Sequence, residues 1–255
     1  MDLQADPAAA RGSVAGNLAA VRARIARAAI EGGRKPEDVR LILATKTVAP
    51  ERILEAVEAG ETHLAENRVQ EGRVKAVALA GHPIRWSMIG HLQTNKVRDV
   101  LRFAAEVQSL DRLTLAETLD RALQRLARPL DVLVQVNTSG EATKYGLPPE
   151  DVLPFLRELR AFASLRVRGF MTLARFTSDI DEVRRCFRVL HAVREEARQQ
   201  APQGAALREL SMGMSGDFAA AVAEGATMVR VGQAVFGQRT LPDSYYWPAA
   251  AGPSG

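Results

Sequence analysis

The sequence predicts an α/β fold: a closed (β/α)8 barrel of the TIM type, with one extra helix ahead of its first strand. Three observations predict it. Strand and helix signals alternate eight times, which calls for parallel strands joined by helical crossovers. The first strand signal, Leu41-Ile-Leu-Ala44, is a continuous apolar run, as expected of a strand covered on both faces. Eight such units in 255 residues match the length of a single barrel domain. An open doubly wound sheet is the alternative.

The elements follow in order. Val14, Leu18, Val21, Ile25 and Ala28 share one helical face, so residues 11–31 read as the extra helix, ended by Gly32-Gly33. Residues 39–46 form the first strand and end on Lys46. Pro50 suits the first turn of the helix over 51–59, which Gly60 stops. Residues 63–67 are the second strand and 69–79 the next helix. Residues 84–89 are the third strand, and Thr94 is placed to cap a helix that runs to about Phe103. Residues 106–109 give a weak fourth strand and 112–127 a strong helix. The fifth strand is clear over 131–136. A loop over 137–147 leads to a helix over 149–162. The sixth strand spans 165–171. A long amphipathic helix follows over 179–199, with Ile180, Val183, Phe187, Leu190 and Val193 on one face. Residues 207–210 form the seventh strand, 217–224 a short helix and 228–231 the eighth strand. The expected organisation is a flexible N-terminus (1–10), a single barrel domain (11–241) and a flexible tail (242–255) rich in Pro, Ala, Gly and Ser.

Composition narrows the function classes. A hydrophobic content of 47% supports one sizeable core, and no run of 18 apolar residues calls for a membrane span. The N-terminus lacks a basic segment followed by an apolar one, so no signal peptide is expected, and a cytoplasmic protein fits. The single cysteine, Cys186, falls in the pattern of Val183, Phe187 and Leu190 and reads as a packed thiol. The formal charge of +4 comes from arginines spread over helices, without a dense basic block, which argues against nucleic-acid binding. His63, His82, His91 and His191 show no metal-ligand spacing. No P-loop or dinucleotide fingerprint is present, and Gly213-Met-Ser-Gly216 is one residue short of a nucleophile elbow.

Chemistry concentrates where strands hand over to loops, the ligand-binding edge of such sheets. Lys46 sits at that edge. Apolar surroundings there lower the pKa of an amine and expose its free form, which Schiff-base chemistry with an aldehyde needs. Taken alone, a lysine that snorkels to solvent is the alternative. After the seventh strand, Ser211-Met-Gly-Met-Ser-Gly-Asp217 opens a helix with exposed N–H groups, an arrangement that suits a phosphate. Gly232, closing the eighth strand, allows close backbone approach. The alternative for each is an ordinary glycine-rich turn with a polar cap. Together with Lys46 they describe an aldehyde-bearing phosphate held by an amine. Pyridoxal 5′-phosphate satisfies that description, with its aldehyde on Lys46 and its phosphate near Ser215 and Gly232. Arg230 points to the same side of the strand as Gly232. An arginine there keeps a pyridine nitrogen unprotonated and weakens the ring as an electron sink.

At these residues the chain resembles a known family. It is similar to the pyridoxal-phosphate homeostasis proteins, single-domain relatives of the alanine racemase N-terminal barrel. The matching stretches are Leu43-Ala-Thr-Lys-Thr47, Ala65-Glu-Asn-Arg-Val-Gln-Glu71, Ile89-Gly-His-Leu-Gln-Thr-Asn-Lys96, Gly169-Phe-Met-Thr172, Leu210-Ser-Met-Gly-Met-Ser215 and Val229-Arg-Val-Gly-Gln-Ala-Val-Phe-Gly237. The resemblance implies a cofactor on Lys46 and ring contacts from Asn67 and Arg230. It also implies phosphate contacts from Ser215, Gly232 and the backbone around Met212 and Gly213. Where the family often carries a small hydroxyl residue, this chain has Gln233, so the backbone N–H is the expected contact there. The loop over 137–146 ends in the family's Lys-x-Gly pattern, and Lys144 is either an anion contact or a solvated loop lysine.

Two functions from different classes follow. One is a carrier that holds pyridoxal phosphate on Lys46 and delivers it to apo-enzymes without catalysis. The other is an amino-acid racemase, which needs a second acid–base group opposite Lys46. In alanine racemases that group is a tyrosine from a further domain. The tyrosines here are Tyr145 in a loop and Tyr245 and Tyr246 in the tail, which favours the carrier. A sugar-phosphate aldolase using Lys46 is a third, weaker reading. The resemblance implies a monomer.

Overall fold

A computed structural model describes residues 12–201 and 206–237. The expected flexible segments 1–10 and 242–255, with Tyr245 and Tyr246, lie outside the described residues. Eight strands close into one barrel with every neighbouring pair parallel: β1 (Arg40–Ala44), β2 (His63–Glu66), β3 (Arg85–Met88), β4 (Ala104–Leu110), β5 (Leu130–Gln135), β6 (Leu165–Met171), β7 (Glu209–Ser211) and β8 (Met228–Val231). The ring closes where β8 pairs with β1, with Ile42 opposite Arg230 and Leu43 opposite Val231.

Helices cover the outside: α1 (Val14–Glu31), α2 (Pro50–Glu58), α3 (Val69–Ala78), α4 (Val97–Val100), α5 (Leu113–Arg125), α6 (Val152–Glu158), α7 (Ile180–Gln200), α8 (Phe218–Ala223) and α9 (Gln233–Phe236). The first, α1, is the helix expected ahead of the barrel. Ser13 caps it by accepting from Gly16 N at 3.1 Å. Its buried stripe of Val14, Leu18, Val21 and Ile25 seats it against the wall. Arg24 stacks 4.5 Å over the ring of Phe218 in α8, and Asn17 donates to Val235 O in α9 at 3.0 Å. The extra helix thus braces the loops that follow β7 and β8.

Alternation along each strand divides the core. Leu41, Leu43, Leu64 and Val229 join the outer layer against the helices. Ile42, Ala65, Leu133, Met171 and Met228 face inward and fill the middle of the barrel. Phe170, Phe187 and Phe218 are fully buried, each worth about 1.5–3 kcal/mol of transfer free energy.

Several boundaries differ from the sequence expectation. The first strand stops at Ala44, because Thr47 adopts φ +65° and turns the chain, with Val48 N bonded back to Thr45 O at 2.9 Å. Thr94 opens a 3-10 turn (Thr94–Lys96) instead of capping a helix, and α4 is a single turn. The segment over 149–162 is three pieces, a 3-10 turn (Pro149–Asp151), α6 and a second 3-10 turn (Leu159–Ala161). Pro154 lacks an N–H, so it fits only in the first turn of an α-helix, and α6 starts just before it. Ile180 is 50% exposed at the head of α7, whose buried stripe begins at Val183. The seventh strand lies one to two residues later than its apolar signal. The fourth is longer than expected, since its polar residues Glu106, Gln108 and Ser109 are buried.

Candidate functional site

The C-terminal ends of β7, β8, β1 and β2 are consecutive around the ring. They bring together Met212, Gly213 and Ser215 after β7, Arg230 and Gly232 on and after β8, Lys46 after β1, and Asn67 after β2. Lys46 follows Arg40, Ile42 and Ala44 at even spacing on the chain and is 7% exposed.

The turn that carries Lys46 is held from outside the barrel. Glu66, at the end of β2, is fully buried. Its Oε1 accepts from Thr45 Oγ1 and from Lys75 Nζ, both at 2.6 Å. Lys75 Nζ also donates to Thr45 O at 2.7 Å, and Thr47 N donates to Glu71 Oε2 at 3.2 Å. The residues on either side of Lys46 are therefore tied to β2 and α3. Burial pushes the Glu66 carboxyl above its ordinary value, and the charge of Lys75 opposes this. The stretches 43–47 and 65–71 singled out in the sequence contain Thr45, Thr47, Glu66 and Glu71, but neither includes Lys75 or shows that the four meet.

Asn67 is fixed by a close backbone approach. A Cβ on Gly90 would lie 2.1 Å from Asn67 O and 2.7 Å from its Cα. Only glycine fits there, so the Ile89-Gly90 step sets where the β2 end runs.

Arg230 is 3% exposed, inside the barrel. Its Nη1 donates to Ser211 Oγ at 2.7 Å and its Nη2 to Thr172 O at 2.8 Å. Ser211 Oγ donates to Gln108 Oε1 at 2.6 Å. Gln108 Nε2 donates to Glu106 Oε2 at 2.7 Å, and Ser87 Oγ donates to the same oxygen at 2.8 Å. Burial lowers the Arg230 pKa to about 10, against the favourable charge of Asp217, so the guanidinium stays protonated at neutral pH. Sequence reasoning names Ser211 only within the phosphate-suited loop and Thr172 only within a matching stretch, and it misses Gln108 altogether. Ser211 ends a strand beside β8, which is the available signal.

The β7 loop and the head of α9 form an oxygen-selecting corner. Ser215 Oγ accepts from Gly232 N at 3.2 Å and from Ala234 N at 3.3 Å. Gly213 has φ +94°, and a Cβ on it would lie 2.5 Å from Ala221 Cβ and 2.9 Å from Phe218 Cα. It lets α8 close onto the loop. Met212 N is committed to the sheet, bonded to Met228 O at 3.1 Å, and Gly213 O accepts from Arg230 N at 2.9 Å. Met214 N donates to Asp217 Oδ1. Burial raises the Asp217 pKa, while that N–H and Arg230 oppose the rise. Gly232 has a structural reason as well: a Cβ there would meet Ala44 O at 2.8 Å. The Gln233 side chain is exposed.

Lys144 and His91 are both engaged on this rim. Lys144 Nζ donates to Ala174 O at 2.8 Å and pairs with Glu141 Oε2 at 2.5 Å. His91 Nδ1 lies 3.5 Å from Asp111 Oδ2, and its ring stacks on Tyr145 at 3.9 Å between centroids. Among the described residues, no group of three or more His, Cys, Asp or Glu is placed to hold a metal ion, and no helix is long and apolar enough to cross a membrane.

Residues 17–240 match the family model described as alanine racemase, N-terminal domain. A curated relative from Vibrio alginolyticus, named pyridoxal phosphate homeostasis protein, is 40% identical over 211 residues, which are 81% of this chain and 89% of that protein. A solved structure of an unknown protein from Bifidobacterium adolescentis superposes with a TM-score of 0.83 at 34% identity, over 92% of this chain and 98% of that one. PipY of Synechococcus elongatus PCC7942, solved with PLP bound, superposes with a TM-score of 0.79 at 36% identity, over 88% of this chain and all of its own.

Proposed function

Since this chain belongs to the pyridoxal phosphate homeostasis protein family, built on the alanine racemase N-terminal barrel, we propose that it binds pyridoxal 5′-phosphate, holds it as a Schiff base on Lys46 and delivers it to apo-enzymes. The observation that carries the reading is the adjacency of β1 and β8. β1, which Lys46 follows by two residues, pairs with β8, which carries Arg230 and leads into the amides that converge on Ser215 Oγ.

The residues present fit this cofactor. The amide groups of Gly232 and Ala234 already converge on one oxygen, that of Ser215, as they would on a phosphate oxygen. Arg230 is oriented by Ser211 and Thr172 and can only donate. Asn67 would contact the ring, and Met212, Gly213 and Gln233 would line the phosphate side. When bound, pyridoxal phosphate supplies an aldehyde for an amine and a ring that withdraws electrons. Thr45, Glu66 and Lys75 hold the turn that presents the Lys46 amine. Facing the ring nitrogen, Arg230 would offer only donors, leave that nitrogen unprotonated and so keep the electron sink weak, which suits storage.

A racemase needs a second proton-transfer group across from Lys46. Tyr145, the one tyrosine among the described residues, has its ring stacked on His91. The carrier reading is favoured on that ground and by the names of the curated relatives. The test is handover. The loaded protein is mixed with an apo-form of a pyridoxal-phosphate enzyme, and recovery of that enzyme's activity is followed beside a D-alanine assay. The proposal expects recovery, its loss in Lys46→Ala, and no D-alanine. Turnover of L-alanine at ordinary enzyme rates, without handover, replaces it by the racemase.

A further inference from the structure

A cavity of about 780 Å3 opens at the opposite mouth of the barrel, where the strands begin. Four guanidiniums line it, those of Arg40, Arg85, Arg168 and Arg208. Arg40 and Arg85 are the first residues of β1 and β3. Three carboxylates share the lining. Asp131 serves two arginines at once, Arg168 Nε at 2.8 Å and Arg85 Nη2 at 3.3 Å. Glu209 pairs with Arg40 at 3.2 Å. The third, Glu106, is 2% exposed and accepts from Ser87 and Gln108, toward the barrel interior. The wall therefore carries an excess of positive charge. Beside these pairs the side chains of Arg40, Arg85 and Arg168 remain 35%, 38% and 40% exposed. His63, between them, is pushed toward its neutral form by burial and by Arg40 and Arg85, with Glu61 and Glu106 opposing.

The volume is in the range of small-ligand pockets, roughly 300–1,000 Å3. Arginine forks bind phosphate and carboxylate oxygens in pairs, and they bind more strongly where water is restricted. The inward cluster of Ile42, Ala65, Leu133, Met171 and Met228 fills the barrel between this mouth and the Lys46 rim, so the two are separate. We propose that the N-terminal mouth is a binding site for a small polyanion bearing phosphate or carboxylate groups. This inference is independent of the function proposed for Lys46. The competing account is an ion-pair network that only closes the barrel, since this face of such barrels usually serves stability.

The test is calorimetric titration of the full chain at low ionic strength, with inorganic pyrophosphate and, separately, citrate. Saturable binding of either is expected, weakened at least tenfold in Arg168→Gln and unchanged in Arg121→Gln, which removes an exposed charge from the outer face of α5. Asp131→Asn releases both Arg85 and Arg168, so it is expected to tighten binding severalfold. That gain cannot come from a damaged fold. Binding of pyrophosphate alone assigns the site to phosphates, of citrate alone to carboxylates, and of both to oxyanions generally. The proposal is overturned if neither binds, or if Arg168→Gln leaves the binding unchanged. It is also overturned if Asp131→Asn fails to tighten binding.

Discussion

The guanidinium of Arg230 donates to the Ser211 hydroxyl at 2.7 Å, and both residues are buried in the barrel. Ser211 passes the interaction on to Gln108, which bonds Glu106. A charged arginine is kept inside the wall because each of these neighbours is satisfied. Ser211→Ala deletes the shared hydroxyl and leaves Gln108 Oε1 and Arg230 Nη1 short of a partner. The expected loss is about 1–3 kcal/mol, read from the urea midpoint at constant slope.

The Lys46 turn makes a second prediction. Lys75 ties Glu66 to Thr45 O, and the pair is almost fully buried. Lys75→Met removes the cation and leaves a buried carboxylate uncompensated, which costs about 3–5 kcal/mol. Adding Glu66→Gln to Lys75→Met recovers part of that loss. Urea unfolding of the two single variants and the double variant reads the coupling directly.

Glu66 also gives a pH signature. Burial raises its folded-state pKa above the ordinary 4.5, so the native state holds this proton at pH values where the unfolded chain has released it. Across the window from 4.5 up to the raised value the native state binds more protons, and the stability from this group falls as pH rises. The difference in unfolding free energy, wild type minus Glu66→Gln, is therefore expected to decline through that window and to be flat on either side. Urea titrations at stepped pH measure it.

Two glycines flanking the Ser215 corner, Gly213 and Gly216, separate fit from composition. Gly213→Ala puts a Cβ into α8 at a positive φ, and the expected cost is about 1–3 kcal/mol with weaker cofactor retention. A Cβ added at Gly216 would meet nothing within 4 Å, so Gly216→Ala changes stability by less than about 1 kcal/mol, toward the stable side. Thermal melts of the two variants side by side provide the comparison.

The barrel was legible because most strands kept an apolar core and the longer helices their spacing, from the Val14 stripe to the α7 stripe of Val183, Phe187 and Leu190. Lys46, Arg230 and Gly232 were legible as candidates because they sit at strand ends. What resisted reading was polar burial. Gln108 and Glu106 made β4 look weak, although inside the barrel they bond one another. The pairing of Glu66 with Lys75 is not visible in the sequence, because it forms only when β2 and α3 pack together. Ile180 looked apolar enough to join the stripe of α7, yet the helix begins there and leaves it in water. Gly232 shows the limit from the other side: its small size reads from the sequence as room for a ligand, and the Ala44 carbonyl also requires it.

The central claim is that Lys46 is the anchor for pyridoxal phosphate. The most direct measurement is borohydride reduction of the protein with added pyridoxal phosphate, followed by peptide mass mapping, with the visible spectrum recorded beside Lys46→Ala. The account predicts a yellow protein, a reduced pyridoxyl group on Lys46, and neither in the variant. A colourless protein with label scattered over surface lysines would contradict it.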